Sequence, residues 1–149
     1  MLVGSTPHAQ WRQIAVLDAA GNTAAFSGSR IKPEMSEAPG RDACAIGNIL
    51  ANVRVSPAML RGFQSATTLA LAERLLCALE WGLAAGGERV PVRSAHLLIV
   101  ESDEFPLVDL RIDWHDQPIA GLRALWNHYA PQIEDFRLRA LDPDNPALR

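Results

Sequence analysis

The chain has 149 residues, 48% of them apolar and 21% charged, a composition that fits one ordinary globular domain able to bury a core without metal or disulfide staples. Its net charge of −3 argues against a nucleic-acid or anionic-membrane surface, because both need a basic footprint. No apolar run reaches the ~18 residues of a membrane span, and the opening MLVGSTPHAQW lacks the basic and apolar regions of a signal peptide, so the expected protein is soluble and cytoplasmic.

Residues 11 to 28 read as a hairpin. Ile14, Val16 and Leu17 suit a strand, Ala19-Ala20-Gly21-Asn22 suits a tight reversal, and Thr23 to Gly28 suits the return strand. Pro33, Pro39 and Gly40 among mixed charges mark Ser29 to Asp42 as a surface loop. ACAIGNIL, Ala43 to Leu50, reads as a third strand. Ser56-Pro57 then announces a short helix, with serine as the N-cap and proline in the first helical position.

The spacing predicts a longer helix over residues 68–85, with Ala72, Leu75, Leu76, Leu79 and Leu83 in one apolar stripe and Gly86-Gly87 as its stop. Ala95 to Val100 is nearly all apolar, as expected of a strand covered on both faces. From Leu107 to Asp113 the pattern alternates, placing Val108, Leu110 and Ile112 on one face and Asp109, Arg111 and Asp113 on the other. Asp116 is placed to cap a final helix that has Pro118 in its first turn and a stripe of Ile119, Leu122, Leu125, Trp126 and Tyr129. Residues 131–149 read as a polar, proline-rich tail after a single domain of residues 1–130. Strands in hairpin pairs with helices in blocks predict an α+β fold, antiparallel sheets layered with helices.

Few constellations in this chain carry chemistry. Arg111 between Asp109 and Asp113 is either a charged pocket wall or a structural ladder of ion pairs. Gly47-Asn48 offers close backbone approach and an amide donor for a developing oxyanion, or else a bulge followed by a locally bonded asparagine. His115, flanked by Asp113 and Asp116, is a candidate acid–base group, whereas His96 reads as a core histidine. Cys44 and Cys77 read as free buried thiols. The histidines show no metal-binding spacing, and Gly82-x-x-x-Gly86-Gly87 lacks the lysine and hydroxyl of a phosphate loop, so neither a metal nor a cofactor is expected.

WRQIAVLDAAGNTAAFSGS, Gly47-Asn48-Ile49-Leu50, LAERLLCALEWGLAAGGE, RSAHLLIV and VDLRIDWH followed by Pro118 together resemble the bacterial domain-of-unknown-function 1028 family, from Trp11 to Tyr129. The resemblance implies an Ntn-hydrolase-like αββα sandwich, a fold that hosts amide-bond hydrolysis by an N-terminal Thr, Ser or Cys. Members of that family carry a further N-terminal portion that opens with Thr after the initiator Met. Here Leu2 follows Met1, and Ser5 and Thr6 become N-terminal only after cleavage, so the chain is expected to represent the family's C-terminal portion. Gly47, Asn48, Asp109 and Arg111 are then supporting or pocket residues.

The leading expectation is an amide (C–N bond) hydrolase-like domain that takes a small amide or peptide ligand. Its rivals are a non-catalytic homo-oligomer, assembled through open sheet edges, and a small-ligand-binding module.

Overall fold

The computed structural model describes residues 2–65 and 67–145. The architecture is α+β with antiparallel sheets, and the chain divides into two compact units, Met1–Pro91 and Val92–Arg149, where the sequence suggests one domain over residues 1–130.

The first unit opens with a single helical turn α1 (Leu2–Ser5) and a 3-10 turn (Ala9–Trp11). The expected hairpin follows as β1 (Gln13–Leu17) and β2 (Thr23–Ser27), with Ile14 opposite Phe26 and Val16 opposite Ala24. Asp18 organises its turn. The carboxylate accepts from the amides of Ala20 at 2.9 Å and Asn22 at 2.8 Å, and from Asn22 Nδ2 at 2.9 Å. The side-chain bond from Asn22 is the largest of the contributions that hold the Asp18 carboxyl below its ordinary 3.8. Gly21 takes φ +80°, where a Cβ would run into the Asp42 carboxylate.

A second hairpin replaces the loop expected over residues 29–42: β3 (Ser36–Gly40) pairs with β4 (Ala43–Gly47), Pro39 opposite Cys44. Its proline and glycine conceal it in the sequence. A proline is tolerated in a strand whose other edge makes no ladder, and β3 has β4 alone as its ladder partner. The two hairpins lie against each other, β2 beside β3 and β1 beside β4. Thr23 Oγ1 donates to the Gly40 carbonyl at 2.7 Å, and the Asp42 amide to the Gly21 carbonyl at 2.9 Å.

Helix α2 (Val55–Ser65) packs on β3, on β4 and on α3 (Leu71–Ala84). Ser56 sits inside the first turn of α2 and is not its N-cap: fully buried, its hydroxyl donates to the Ser36 carbonyl at 3.1 Å and accepts from Ser36 Oγ at 2.7 Å. Asn52 works at the helix start instead, its Oδ1 accepting from the Arg54 amide at 2.9 Å while its Nδ2 donates to the Ala85 carbonyl at the end of α3.

Two glycines let α2 and α3 close up. A Cβ on Gly62 would stand 2.7 Å from the Cys77 carbonyl oxygen, and one on Gly82 would meet Met59. This close approach turns α3 so that Ala72, Leu76, Ala78 and Gly82 are buried, while Leu83, expected in the stripe, is 51% exposed. The stop at Gly86-Gly87 forms as read, both residues at positive φ and the Gly87 amide donating to the Gly82 carbonyl at 3.0 Å.

In the second unit β5 (Ala95–Ile99) pairs with β6 (Val108–Ile112), with Leu97 opposite Leu110 and Ile99 opposite Val108. Helix α4 (Pro118–Tyr129) packs on the inner face of this hairpin, where Leu97, Ile99, Val108, Ile119, Leu122 and Trp126 form the core. Contrary to the expectation of two covered faces, one face of β5 is open within this unit: Leu98 is 50% exposed and His96 also faces out, so His96 is not a core histidine. Leu125 likewise leaves the expected stripe, 37% exposed.

The segment expected as a tail forms a 3-10 turn (Ala130–Gln132) and a helix α5 (Ile133–Leu141); residues 146–149 lie outside the described residues. Its apolar stripe is too thin to read from sequence. Tertiary bonds hold it: Phe136 stacks on Tyr129 with centroids 5.6 Å apart, and Arg137 Nε donates to Asp103 Oδ2 at 2.7 Å.

Close helix contact makes Gly62→Ala a sharp test. Alanine is the better helix former by about 1 kcal/mol. The clash with the Cys77 carbonyl is expected to outweigh that gain and leave a net loss of about 1–2 kcal/mol, or about 2–8 °C in Tm by calorimetry. An unchanged or raised Tm would show that the helices separate freely.

Candidate functional site

Counting outward from the Asp18–Asn22 turn, the first hairpin continues past its regular strands: the Gly28 amide donates to the Arg12 carbonyl at 2.9 Å and the Arg30 amide to the Gln10 carbonyl at 2.8 Å. This places Arg12 and the Arg30-Ile31-Lys32 segment at the open end of the hairpin. They line an open cleft of about 460 Å³ with Trp11, Gln13, Ile46 and Asn48. Trp11, Arg12, Arg30 and Lys32 are exposed and form its rim, whereas Gln13, Ile31, Ile46 and Asn48 are half-buried.

Gln13 holds the cleft together. Its Nε2 donates to Ser27 Oγ at 2.9 Å and to the Gly47 carbonyl at 3.0 Å, and its Oε1 accepts from Asn48 Nδ2 at 3.2 Å. A carboxamide nitrogen carries two N–H groups, so Asn48 keeps a second donor after this bond. Its partner is 35 positions away, not the local backbone. The next residue, Ile49, stands at φ +56°, an uncommon conformation for a β-branched side chain that marks a locally constrained backbone. Gly47 has a packing role here: a Cβ would meet Leu50 Cδ2 at 2.9 Å, and Leu50 is buried.

Among the described residues the cleft wall carries the cations Arg12, Arg30 and Lys32 and no carboxylate. Arg30 lies over the Trp11 ring, 5.3 Å from its centroid. The described lining residues also include no hydroxyl, thiol or imidazole. What these described side chains supply is hydrogen bonding and positive potential.

The other sequence candidates lie in the second unit, and there they divide. Asp109 Oδ1 meets His96 Nε2 at 2.8 Å, and Arg111 Nε meets Asp113 Oδ1 at 3.2 Å. Arg111 is thus not gripped by both carboxylates. The ladder sets His96 directly opposite Arg111, so the imidazole comes within reach of Asp109 diagonally across the strands. These pairs are well exposed and screened by solvent.

His115 Nδ1 accepts from the Gln117 amide at 2.9 Å at the start of α4, which gives it a helix-entry role in place of the expected Asp116 cap. Asp116 pairs with Arg93 instead, and Arg93 also lies over the exposed Trp114 ring. Among the described residues no group of acidic, histidine and cysteine side chains is arranged to hold a metal. Both cysteines are free and half-buried, and burial, followed by the charge of Glu37, pushes the Cys44 thiol up, away from thiolate character.

Sequence reasoning missed Trp11, Arg12, Gln13, Arg30 and Lys32. The signal was present, since an antiparallel register carried outward from the turn sets Arg12 and Arg30 on adjoining strand extensions.

The model of the family of unknown function DUF1028 matches residues 1–122. The chain belongs to the DUF1028 family. It is also similar to the crystal structure of a Silicibacter pomeroyi protein described by the same family, with 34% identity and a TM-score of 0.75. That likeness covers 86% of this chain and 54% of the other, so the chain spans about half the length of its structural relative. No curated protein matches it. The family match takes in the whole cleft, together with β5, β6 and the first part of α4, and leaves α5 outside.

Replacing Gln13 tests what holds the site. Gln13→Ala leaves the Gly47 carbonyl and Asn48 without these partners, and a loss of about 1–2 kcal/mol is expected from urea unfolding. Faster solvent exchange of the Asn48 side-chain amide in NMR spectra is expected alongside it. Unchanged exchange would mean that Gln13 does not hold Asn48.

Proposed function

We propose that this DUF1028 chain carries the amide-holding part of an Ntn-hydrolase-like αββα sandwich, and that its cleft binds a small amide or peptide. The observation that carries this reading is the Asn48 carboxamide, fixed by Gln13 at the cleft wall with one N–H to spare. A pre-positioned amide donor meets a carbonyl oxygen without reorganising, and it binds more strongly as negative charge develops on that oxygen. Two antiparallel hairpins lying against each other beneath a helical pair suit such a sandwich. Among the described residues that line the cleft, Asn48 and the three cations are suited to bind and polarise the amide.

Saturation-transfer NMR with N-acetylated amino-acid amides and dipeptides tests this. Binding to the chain is expected, weakened about 3- to 10-fold in Asn48→Ala, the worth of one neutral hydrogen bond. No binding by any member, or equal binding to Asn48→Ala, would remove the proposal.

A second reading, homo-oligomeric assembly, is favoured by the outer face of β5, where Leu98 is 50% exposed, and by Val100 just beyond the strand, 67% exposed. Under it, light scattering gives a dimer or larger species that Leu98→Lys converts to monomer. A monomeric parent chain at high concentration would exclude it.

A further inference from the structure

We infer that the cleft selects amides bearing a carboxylate. This rests on the amide-binding reading above and names the substrate class of that site. Three cations, Arg12, Arg30 and Lys32, converge on the rim from two separate chain segments, although the chain as a whole is net negative at −3. None of the three makes an ion pair with a carboxylate among the described residues; the pairs formed by Arg41, Arg93, Arg111 and Arg137 all lie elsewhere.

Main-chain bonds fix where these cations stand. The Arg12 carbonyl accepts from Gly28, the Arg30 amide donates to Gln10, and the Lys32 carbonyl faces the Ile49 amide at 3.5 Å. Like charges gathered on one wall repel one another unless an anion sits between them, and a concave wall of one sign concentrates its counter-ion. Guanidinium groups also meet a carboxylate through paired N–H donors. Trp11, with Arg30 over its ring, adds an apolar flank at the same rim. An amide held at Asn48 with a carboxylate directed to the rim satisfies both halves of the cleft. A volume of about 460 Å³ is ample for a small peptide fragment.

The test is a size-matched pair, N-acetylalanine and N-acetylalaninamide, titrated against the purified chain by calorimetry at low salt, with inorganic phosphate as a third ligand. Each partly exposed charge pair is worth about 1.5- to 5-fold, so N-acetylalanine is expected to bind about 10-fold more tightly. That preference is expected to shrink as salt is raised and to fall towards unity in an Arg30→Gln, Lys32→Gln double variant. Both side chains are exposed, and the salt titration on the parent chain reads the same preference should that variant fold poorly. Equal or tighter binding of the neutral partner overturns the carboxylate inference and leaves amide binding standing. Failure of both ligands overturns the two together. Phosphate binding as tightly as N-acetylalanine, a salt-independent preference, or a ratio unaltered in the double variant would each overturn the inference, since the cleft would then read charge alone or not through these cations.

Discussion

The carboxamide of Gln13 joins two hairpins that share no strand ladder. Its nitrogen reaches Ser27 within its own hairpin and the Gly47 carbonyl of the neighbouring one, while its oxygen takes the Asn48 amide. A backbone carbonyl, a hydroxyl and a second carboxamide thus depend on one half-buried side chain. The position of Asn48, and with it the polar wall of the cleft, follows from that arrangement. At the other end of the hairpins Thr23 and Asp42 make the matching ties, so the two ribbons are held at both ends rather than along their edges.

Above this pair of hairpins the helices supply rigidity. Gly62 and Gly82 remove the side chains that would keep α2 and α3 apart, and the hydroxyl of the buried Ser56, bonded to the half-buried Ser36, anchors the first turn of α2 to the start of β3. The second hairpin is therefore trapped between its partner hairpin and α2, even though Pro39 weakens it as an isolated strand pair. The strained Ile49 sits where the chain leaves β4 for these helices, immediately after Asn48. Backbone strain of this kind persists where the surroundings over-determine it.

The second unit shows how alike two charge patterns look before the register is known. Asp109, Arg111 and Asp113 share a strand face, as their alternation requires, yet the neighbouring strand brings His96 into the set and divides it into two separate pairs. Both pairs lie exposed on that strand face. His115 and Asp116 behave similarly, each adjacent to acidic or polar neighbours in sequence but bonded to a backbone amide and to Arg93 in space.

Much of the fold was legible in the sequence wherever a local rule acts alone. The alternation of β6, the first hairpin with its Gly21-Asn22 reversal, the long α3 with its double-glycine stop and α4 behind Pro118 all follow from periodicity and backbone preference, which belong to a few consecutive residues. A polar amide within an apolar run also singled out Asn48 in the sequence. Tertiary structure decided the rest, because the deciding forces act between residues far apart in the chain. Pro39 becomes a strand residue through its pairing with Cys44, the α3 stripe shifts because Gly62 meets the Cys77 carbonyl, and α5 exists through Phe136 on Tyr129 and Arg137 on Asp103. The cleft belongs to this second class: the register of the first hairpin already sets Arg12 near the Arg30–Lys32 segment, but Ile46 and Asn48 reach the same wall only because the second hairpin lies against the first and Gln13 bonds across to it.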